Sequence, residues 1–375
     1  MIDYRIFGIK PSNIISSLCY SVFKLEPYSS CSYNCIYCYA RWYRGEELVT
    51  TAKLLWLWSK IASKLAKIEA PKPYFRLSTL VEPFQELEEK HMVSYKLLET
   101  AYISNIPVVV NTKSTLLTKP PWIDLLVKMS EKKLVLVQYT VLTSNSEIAE
   151  KLESRAPPPD KRLQSIEKLI ENNIPVVIRI QPLIPGLEEQ HAQLLRELPS
   201  GVKGIITESL RASIEDLYAV SRILGLDLKE YTTKYDWRPY TTRAENLYRP
   251  GDNWVSRVTS EIMRLAKSRG LVYSSCKDTP LIMRSDCCLF WLTGNNGYGV
   301  RETIREKLYQ VKTCGVRIIS KQMYSDYPNP VRKILRLHNN KLEKILRDEN
   351  LLRELLSSVG ISSGLSPHSN SASDR

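Results

Sequence analysis

The sequence predicts an α/β fold built on a parallel sheet. Two observations support this prediction: short β-branched segments are bounded by turn residues, and longer amphipathic segments lie between them. The strand candidates are residues 72–79, 106–112, 133–140, 174–182 and 202–208, preceded by a strand near 21–25. A strand followed by a helix, repeated about six times, is typical of parallel sheets with helical crossovers.

The helical candidates have apolar residues spaced three or four positions apart. They cover residues 46–70, 86–103, 121–132, 159–172 and 213–224. Pro159 followed by Asp160 is a typical helix start. In such folds the reacting groups lie at the carboxyl ends of the strands. We therefore expect the polar residues that follow the strands to meet at one edge of the sheet.

This alternation ends near residue 230. A helix over 256–269, a strand-like segment over 271–278, a basic segment over 301–341 and a helix over 341–357 follow. The chain thus divides into an N-terminal extension (1–20), an α/β domain (21–228), a mixed α/β C-terminal extension (229–360) and a Ser-rich tail (361–375). The tail is poor in apolar residues and is expected to be disordered.

Composition narrows the class of protein. The 375 residues include 43% hydrophobic and 25% charged residues, a mixture typical of a soluble globular protein. We find no apolar run of about 18 residues and no secretory signal pattern, and we therefore expect a cytoplasmic protein without membrane association. In a reducing compartment, eight cysteines indicate metal binding or chemistry more than disulfides.

The positive charge is unevenly distributed. The net charge is +13, and residues 301–341 hold ten Lys/Arg against three Asp/Glu. A clustered basic surface attracts polyanions, of which nucleic acid is the commonest. A solvated face of a basic protein remains the alternative.

Three cysteines lie within eight residues in the stretch CSYNCIYCYARW, at Cys31, Cys35 and Cys38. A structural zinc site needs four protein ligands, and no fourth Cys or His is nearby. Three thiolates on a [4Fe–4S] cluster would leave one iron open for a substrate or cosubstrate. A zinc site completed by a distant residue stays open as the alternative.

The C-x3-C-x2-C spacing, with Tyr37 before the last cysteine, is the signature of radical S-adenosylmethionine (SAM) enzymes. The stretch 25–41 (LEPYSSCSYNCIYCYAR) resembles the opening motif of the spore photoproduct lyase-related branch of that superfamily. The NTKS at 111–114, and LESRAPPPDKRL at 152–163 followed by IPVVIRIQPLIPG at 174–186, resemble two later motifs of the branch. The resemblance covers roughly residues 20–230.

The resemblance implies a partial (β/α)6 barrel of radical SAM type and a cluster held by Cys31, Cys35 and Cys38. It implies that SAM binds the open iron and is cleaved by one electron, from a reductant such as ferredoxin or flavodoxin. The resulting 5′-deoxyadenosyl radical would remove hydrogen from a substrate.

Further residue roles follow from the resemblance by position. Tyr37 would lie against the adenine, Lys113 near the SAM carboxylate and Glu82 near the SAM ammonium group. Lys113 as an ordinary strand-end lysine and Glu82 as a helix N-terminal carboxylate are the alternatives. The other candidates for the cofactor site are Ser114, Thr140 and Arg179.

The sequence departs from spore photoproduct lyase itself. Tyr39 matches a tyrosine of the lyase's hydrogen-return path, and we list it as the catalytic candidate. The cysteine of that path is missing, because the chain has no cysteine between Cys38 and Cys276. The sequence therefore predicts the radical-generating part of the site without predicting the lyase activity.

A second group of cysteines lies in the C-terminal extension, at Cys276, Cys287, Cys288 and Cys314. Four thiols suffice for an auxiliary iron–sulfur cluster or a zinc ion. Buried free thiols are the alternative, because neighbouring side chains diverge on a strand and Cys287 adjoins Cys288. Cys19 is expected to pack in the core.

Three functions remain in view. The first is a radical SAM enzyme acting on nucleic acid, a setting that includes DNA repair. The second is a radical SAM enzyme that modifies a protein, peptide or small molecule with the help of an auxiliary cluster. The third is a metal-stabilised nucleic-acid-binding protein without enzymatic activity.

Overall fold

The computed structural model of the protein describes residues 6–43, 45, 52–240, 246–278, 286–309 and 316–358. The strands are β1 (Lys24–Leu25), β2 (Lys72–Pro73), β3 (Phe75–Leu77), β4 (Val108–Thr112), β5 (Val135–Thr140), β6 (Val176–Leu183), β7 (Gly204–Ser209), β8 (Arg238–Pro239), β9 (Tyr248–Arg249), β10 (Val272–Ser275), β11 (Tyr298–Arg301) and β12 (Arg317–Ile319). The α-helices are α1 (Asn13–Leu18), α2 (Ala52–Leu65), α3 (Leu87–His91), α4 (Val93–Ile103), α5 (Trp122–Glu131), α6 (Ser146–Leu152), α7 (Pro159–Glu171), α8 (Glu188–Glu197), α9 (Ile214–Ile223), α10 (Leu228–Lys234), α11 (Asp252–Ser268), α12 (Ile304–Tyr309), α13 (Asn329–Arg347) and α14 (Glu349–Ser358).

Seven parallel strands form the main sheet in the order β1–β3–β4–β5–β6–β7–β10. Helices separate most of its successive strands, so the carboxyl ends of all seven meet at one edge. The predicted α/β class with a parallel sheet is confirmed. The sheet has one strand more than six, because β10 from the C-terminal extension pairs with β7.

Two smaller sheets accompany the main sheet. Strands β12, β11 and β2 form a parallel three-stranded sheet, and β8 pairs with β9 in antiparallel orientation. The single strand predicted over 72–79 is therefore wrong: β2 and β3 belong to different sheets. Tyr74 alone separates the two strands along the chain.

Several predicted helices have different limits. The segment 86–103 is split into α3 and α4 at Met92, which has a φ of +51°. The segment 341–357 is likewise split, since α13 starts at Asn329 and ends before Asp348. Helices α6, α8 and α10 were not predicted. Residues 46–51 and the tail 361–375 lie outside the described residues.

The two faces of the main sheet are covered differently. One face packs against the crossover helices through residues such as Val108, Val135 and Val176. The other face presents Val109, Leu136, Val177 and Ile206 to the stretch 287–290 and to β11. The C-terminal extension therefore fills the face of the sheet that the crossover helices leave uncovered.

In the described part of the chain, every helix is too short or too polar to cross a membrane.

The buried His191 on α8 makes the fold sensitive to acid. Its ring donates from Nδ1 to the Leu142 carbonyl (2.7 Å) and accepts at Nε2 from the Ile184 N–H (3.1 Å). Burial disfavours the charged ring and lowers the pKa of His191 from 6.5 to about 4, and the two backbone hydrogen bonds oppose this shift only in part. The stabilisation is complete above pH 6.5 and is lost as the pH falls towards 4, where the unfolded chain binds the extra proton.

We expect His191 to account for about 3 kcal/mol of the unfolding free energy lost between pH 7 and pH 4. Urea denaturation at pH 7 and at pH 4 gives the free energy of unfolding of wild type and of His191→Asn, and the loss between the two pH values should be smaller in the variant by this amount. His91→Asn, at a half-buried surface position, is the control and should lose as much unfolding free energy as the wild type. An equal loss in wild type and His191→Asn would contradict the assignment.

Candidate active site

The three cysteines Cys31, Cys35 and Cys38 lie on the loop that follows β1, at the carboxyl edge of the main sheet. The Gln85 side chain holds the first half of this loop by accepting from the Ser32 N–H (2.8 Å) and donating to the Ser30 carbonyl (2.9 Å). The Ile36 N–H binds the Leu152 carbonyl at the end of α6 (3.1 Å). Contacts from distant segments thus fix the loop in one conformation.

Arg41 holds the second half of the loop. Its guanidinium donates to the carbonyls of Ile36 and Cys38, the latter at 3.1 Å from Nε, and pairs with Asp216 at the start of α9. The loop is therefore held at two separate places along the parallel sheet: by Gln85, which follows β3, and by α9, which follows β7.

The donor set fits an iron–sulfur cluster better than a single ion. Three thiolates match the ligands of a [4Fe–4S] cluster that keeps one iron open, whereas a closed structural zinc site needs a fourth protein ligand. The Cys31 sulfur also accepts from the Glu82 N–H at 3.4 Å, a bond of the kind that tunes cluster thiolates.

A buried ionic network lies beside the triad and is centred on Glu153. Its carboxylate pairs with Arg162 (2.5 Å) and with the Lys113 ammonium (3.6 Å), and it accepts from the Tyr37 hydroxyl. Burial alone would raise the pKa of Glu153, but Arg162 and Lys113 outweigh burial and hold the pKa below its ordinary value. The Lys113 ammonium also lies 5.7 Å from the centre of the Tyr37 ring. The structure thus brings two predicted residues, Tyr37 and Lys113, into one cluster.

Glu82 lies next to this network. Its carboxylate accepts from the Phe84 N–H (3.0 Å), the Thr112 hydroxyl (2.7 Å) and the Lys113 N–H (2.8 Å). Burial raises the pKa of Glu82, and these bonds oppose the rise. Ser114 is buried nearby and donates to the Phe84 carbonyl at 2.7 Å. The Glu82 carboxylate thus joins the end of β3 to the end of β4.

The two remaining predicted cofactor residues, Thr140 and Arg179, contact different groups of side chains. The Thr140 carbonyl accepts from Arg162 (3.3 Å), which joins the end of β5 to the Glu153 network. Arg179 on β6 donates instead to Gln138 and, at 3.5 Å, to Asn111. Asn111, Gln138 and Arg179 therefore form a row of polar side chains across the neighbouring strands β4, β5 and β6.

Tyr39, the predicted catalytic residue, is 46% exposed, and its hydroxyl donates to the Thr79 carbonyl at 3.4 Å. Burial of the hydroxyl raises the pKa of Tyr39, while Lys277 lowers it. Lys277 belongs to a second ionic cluster, in which Glu208 pairs with Lys277 (2.8 Å) and with Arg211. Tyr39 thus faces charged groups at the carboxyl ends of β7 and β10, opposite the Glu153 network.

Three of the four C-terminal cysteines belong to the described residues. Cys276, Cys287 and Cys288 lie together in the interior, whereas Cys314 lies outside the described residues. Cys19, expected in the core, is buried close to Cys276 and Cys288.

Sequence reasoning missed Glu153, Arg162, Glu208 and Lys277. Glu153 and Arg162 both lie in the 152–163 motif, so their charge next to three prolines was an available signal. Glu208 is the penultimate residue of β7 and Lys277 follows β10, but their pairing depends on the contact between these two strands, which the sequence does not predict.

A parallel sheet with three cysteines on the loop after its first strand is the arrangement of a radical SAM domain. The family model of the radical SAM superfamily matches residues 25–198, which include the triad and strands β1–β6. This segment of the chain belongs to the radical SAM superfamily.

Solved structures of similar fold include spore photoproduct lyase complexed with dinucleoside spore photoproduct. That structure has a TM-score of 0.54 and 14% sequence identity, over 69% of this chain and 78% of that chain. A double mutant of the same enzyme with bound AdoMet and the dinucleoside matches with a TM-score of 0.54 and 12% identity, over the same shares of both chains. At this identity the likeness concerns the fold.

A relative by sequence is the uncharacterized protein ORF301 of Acidianus two-tailed virus. It is 28% identical over 141 residues, which are 36% of this chain and 45% of that protein. The chain therefore spans less than half the length of this curated relative.

Proposed function

We propose that this protein is a radical SAM enzyme that holds a [4Fe–4S] cluster on Cys31, Cys35 and Cys38 and removes a hydrogen atom from a nucleic-acid substrate. The observation that carries the proposal is the position of three thiols on one rigid loop at the carboxyl edge, within the segment that the superfamily model matches. Together, the bound cluster and SAM would supply a reducing electron and a 5′-deoxyadenosyl radical.

The neighbouring residues would bind and orient SAM. The Lys113 ammonium is suited to a carboxylate, and Glu153 holds it in the interior at 3.6 Å. Glu82 would offer a buried carboxylate to an ammonium group, and Tyr37 an aromatic face to a base. Tyr37 and Glu82 are buried and the Lys113 side chain is only 17% exposed, so the three side chains would limit the access of water to the reacting centre.

The choice of nucleic acid depends on helix α13. This helix carries six Lys/Arg and one Glu, and its apolar side is buried, so the basic side chains lie on its outer part. Lys333, Arg336 and Lys344 are exposed. Two basic residues of the 301–341 segment do not contribute to this surface, since Arg301 and Arg305 are buried. The dinucleoside named for the lyase structures gives the substrate class to test first.

We expect the protein to bind DNA or RNA with a steep dependence on salt. In the triple variant Lys333→Ala, Arg336→Ala, Lys344→Ala, the slope of log K against log salt should fall by about 2 to 3, since each phosphate contact contributes about 0.9. Lys53→Ala, Lys60→Ala, Lys64→Ala on α2 removes the same charge from another exposed face and should leave the slope nearly unchanged. Equal slopes for both triple variants would contradict the α13 assignment.

The reaction itself is tested by isotope transfer. Deuterated oligonucleotides and deuterated peptides are incubated separately with the reduced, SAM-loaded enzyme, and the mass of the 5′-deoxyadenosine formed is measured. We expect deuterium from the oligonucleotide alone. Transfer from the peptide alone would favour the protein-modifying alternative and reject nucleic acid as the substrate.

A further inference from the structure

Three potential metal ligands lie close together, away from the triad, on the face of the sheet that the C-terminal extension covers. They are Asp286, Cys287 and Cys288, with a carboxylate oxygen and two sulfurs all within 4.8 Å of one another. Asp286 is 0% exposed, and each cysteine is 7% exposed. A fully buried carboxylate beside two thiols requires a compensating partner.

The backbone explains how adjacent cysteines can face the same point. Residues 287 and 288 lie in a turn and not on a strand, and Leu289 next to them has a φ of +60°. The objection that neighbouring side chains diverge applies to strands and not to this turn. The turn is fixed from three strands or their flanks, because Gln138 donates to the Cys288 carbonyl (2.7 Å), Ser274 to the Cys287 carbonyl (3.1 Å) and Tyr74 to the Asp286 carboxylate (2.8 Å).

One oxygen of Asp286 has no hydrogen-bond partner among the described residues. Oδ1 accepts from the Tyr74 hydroxyl and from the Cys288 N–H at 3.0 Å, whereas the buried Oδ2 accepts no hydrogen bond. An unpaired buried carboxylate oxygen is costly unless a cation occupies the space beside it. The other oxygen orients the carboxylate, as the outer contacts of a metal ligand commonly do.

Cys276 supplies a fourth donor. Its thiol is in hydrogen-bonding contact with the thiol of Cys287. Its backbone N–H binds the Thr207 carbonyl at 2.7 Å, which fixes the position of Cys276 directly after β10. Cys276 lies outside the group of three ligand atoms that are all within 4.8 Å of one another. Its sulfur would therefore move towards Asp286 and Cys288 on metal binding, to complete a tetrahedral set of three sulfurs and one carboxylate oxygen.

Two arginines balance the charge of such a site. Arg305 contacts the Cys287 thiol, and Arg76 lies near Cys288 and Cys276. Each has a buried Nε without a hydrogen-bond partner, and within the described ranges neither forms an ion pair with a carboxylate. Three thiolates and one carboxylate around a divalent ion leave two negative charges, which the two guanidinium groups would neutralise.

We propose that Asp286, Cys287, Cys288 and Cys276 bind one divalent ion of the zinc class. With four protein ligands the site is closed, so its role is structural. The ion ties the 286–289 turn to the end of β10 and thereby fixes the segment that covers the sheet interior. This site shares Cys276, Cys287 and Cys288 with the four-cysteine group predicted from sequence and adds Asp286, whereas Cys314 lies outside the described residues.

The test uses the full-length chain with the triad removed (Cys31→Ala, Cys35→Ala, Cys38→Ala), so that iron on the triad does not interfere. Metal content is measured by mass spectrometry, and the apo form is titrated with Co²⁺. We expect about one zinc per chain, and one equivalent of Co²⁺ should give the thiolate charge-transfer and visible bands of a tetrahedral site. Absence of both signals, or binding of iron with sulfide, would overturn the proposal.

Ligand variants in this background identify the residues. Cys287→Ser with Cys288→Ser should lower metal occupancy at least tenfold, and Asp286→Asn should weaken Co²⁺ binding 10- to 100-fold. Cys19→Ser is the matched control, since Cys19 is buried nearby but lies outside the ligand group, and it should retain the metal. Equal loss in Cys19→Ser would overturn the ligand assignment. The Co²⁺ spectrum of the triad-free protein itself keeps the test valid if a ligand variant does not fold.

Discussion

Replacing Cys35 by alanine is expected to remove the cluster and the SAM cleavage together. Cys35 is the buried member of the triad, and Gln85 and Arg41 hold its loop in place, so its loss should leave the cluster with two protein ligands. Iron after anaerobic reconstitution should fall from about four per chain to below one. Formation of 5′-deoxyadenosine from SAM should fall at least a hundredfold.

The control for this prediction is Cys19→Ala, which removes a buried thiol elsewhere in the chain. It should retain both the iron and the SAM cleavage. Iron near four per chain in Cys35→Ala would show that the triad does not hold the cluster. Loss of iron in both variants would show instead that the effect comes from general destabilisation.

Replacing Glu153 by glutamine is expected to cost about 3–5 kcal/mol of unfolding free energy. The change preserves the shape of the side chain but leaves the Arg162 guanidinium, 1% exposed, without its carboxylate partner. Lys113 loses the same partner. An uncompensated buried charge is far more costly than a broken surface pair. Denaturant unfolding of the apo protein, followed by circular dichroism, measures the loss.

Glu89→Gln is the matched control, because Glu89 and Lys119 form an ion pair whose side chains are 58% and 62% exposed. Its cost should stay below about 1 kcal/mol, as for surface pairs generally. Similar costs for both variants would contradict the central position of Glu153. Because Lys113 would also lose its orientation, we further expect weaker SAM binding in Glu153→Gln.

The strands of the sheet were predictable where burial makes the sequence locally unambiguous. Strands β4, β5 and β6 are runs of Val, Leu and Ile between turn residues, because a parallel strand is buried on both faces. The prediction of a single strand over 72–79 was wrong, because two strands of different sheets follow each other there with one residue between them. Strand β10 was recognised as a strand, but its pairing with β7 is a long-range property.

The residues of the candidate site were likewise predictable only in part. The triad could be predicted because its three cysteines are close in sequence. Glu153 could not, because its contacts with Tyr37 and Lys113 join residues that are far apart along the chain. The second thiol group also contains residues that spacing does not indicate. Cys19 and the carboxylate of Asp286 are far from Cys276 in sequence, but folding brings both close to the C-terminal cysteines.

The most direct test of the central claim is SAM cleavage by the wild-type protein. The protein is reconstituted anaerobically with iron and sulfide, reduced with dithionite and incubated with SAM, and 5′-deoxyadenosine and methionine are quantified by liquid chromatography. We predict equal amounts of both products, which disappear when Cys31, Cys35 and Cys38 are replaced by alanine. Wild-type product no higher than in that triple variant, despite about four irons per chain, would contradict assignment of this protein as a radical SAM enzyme.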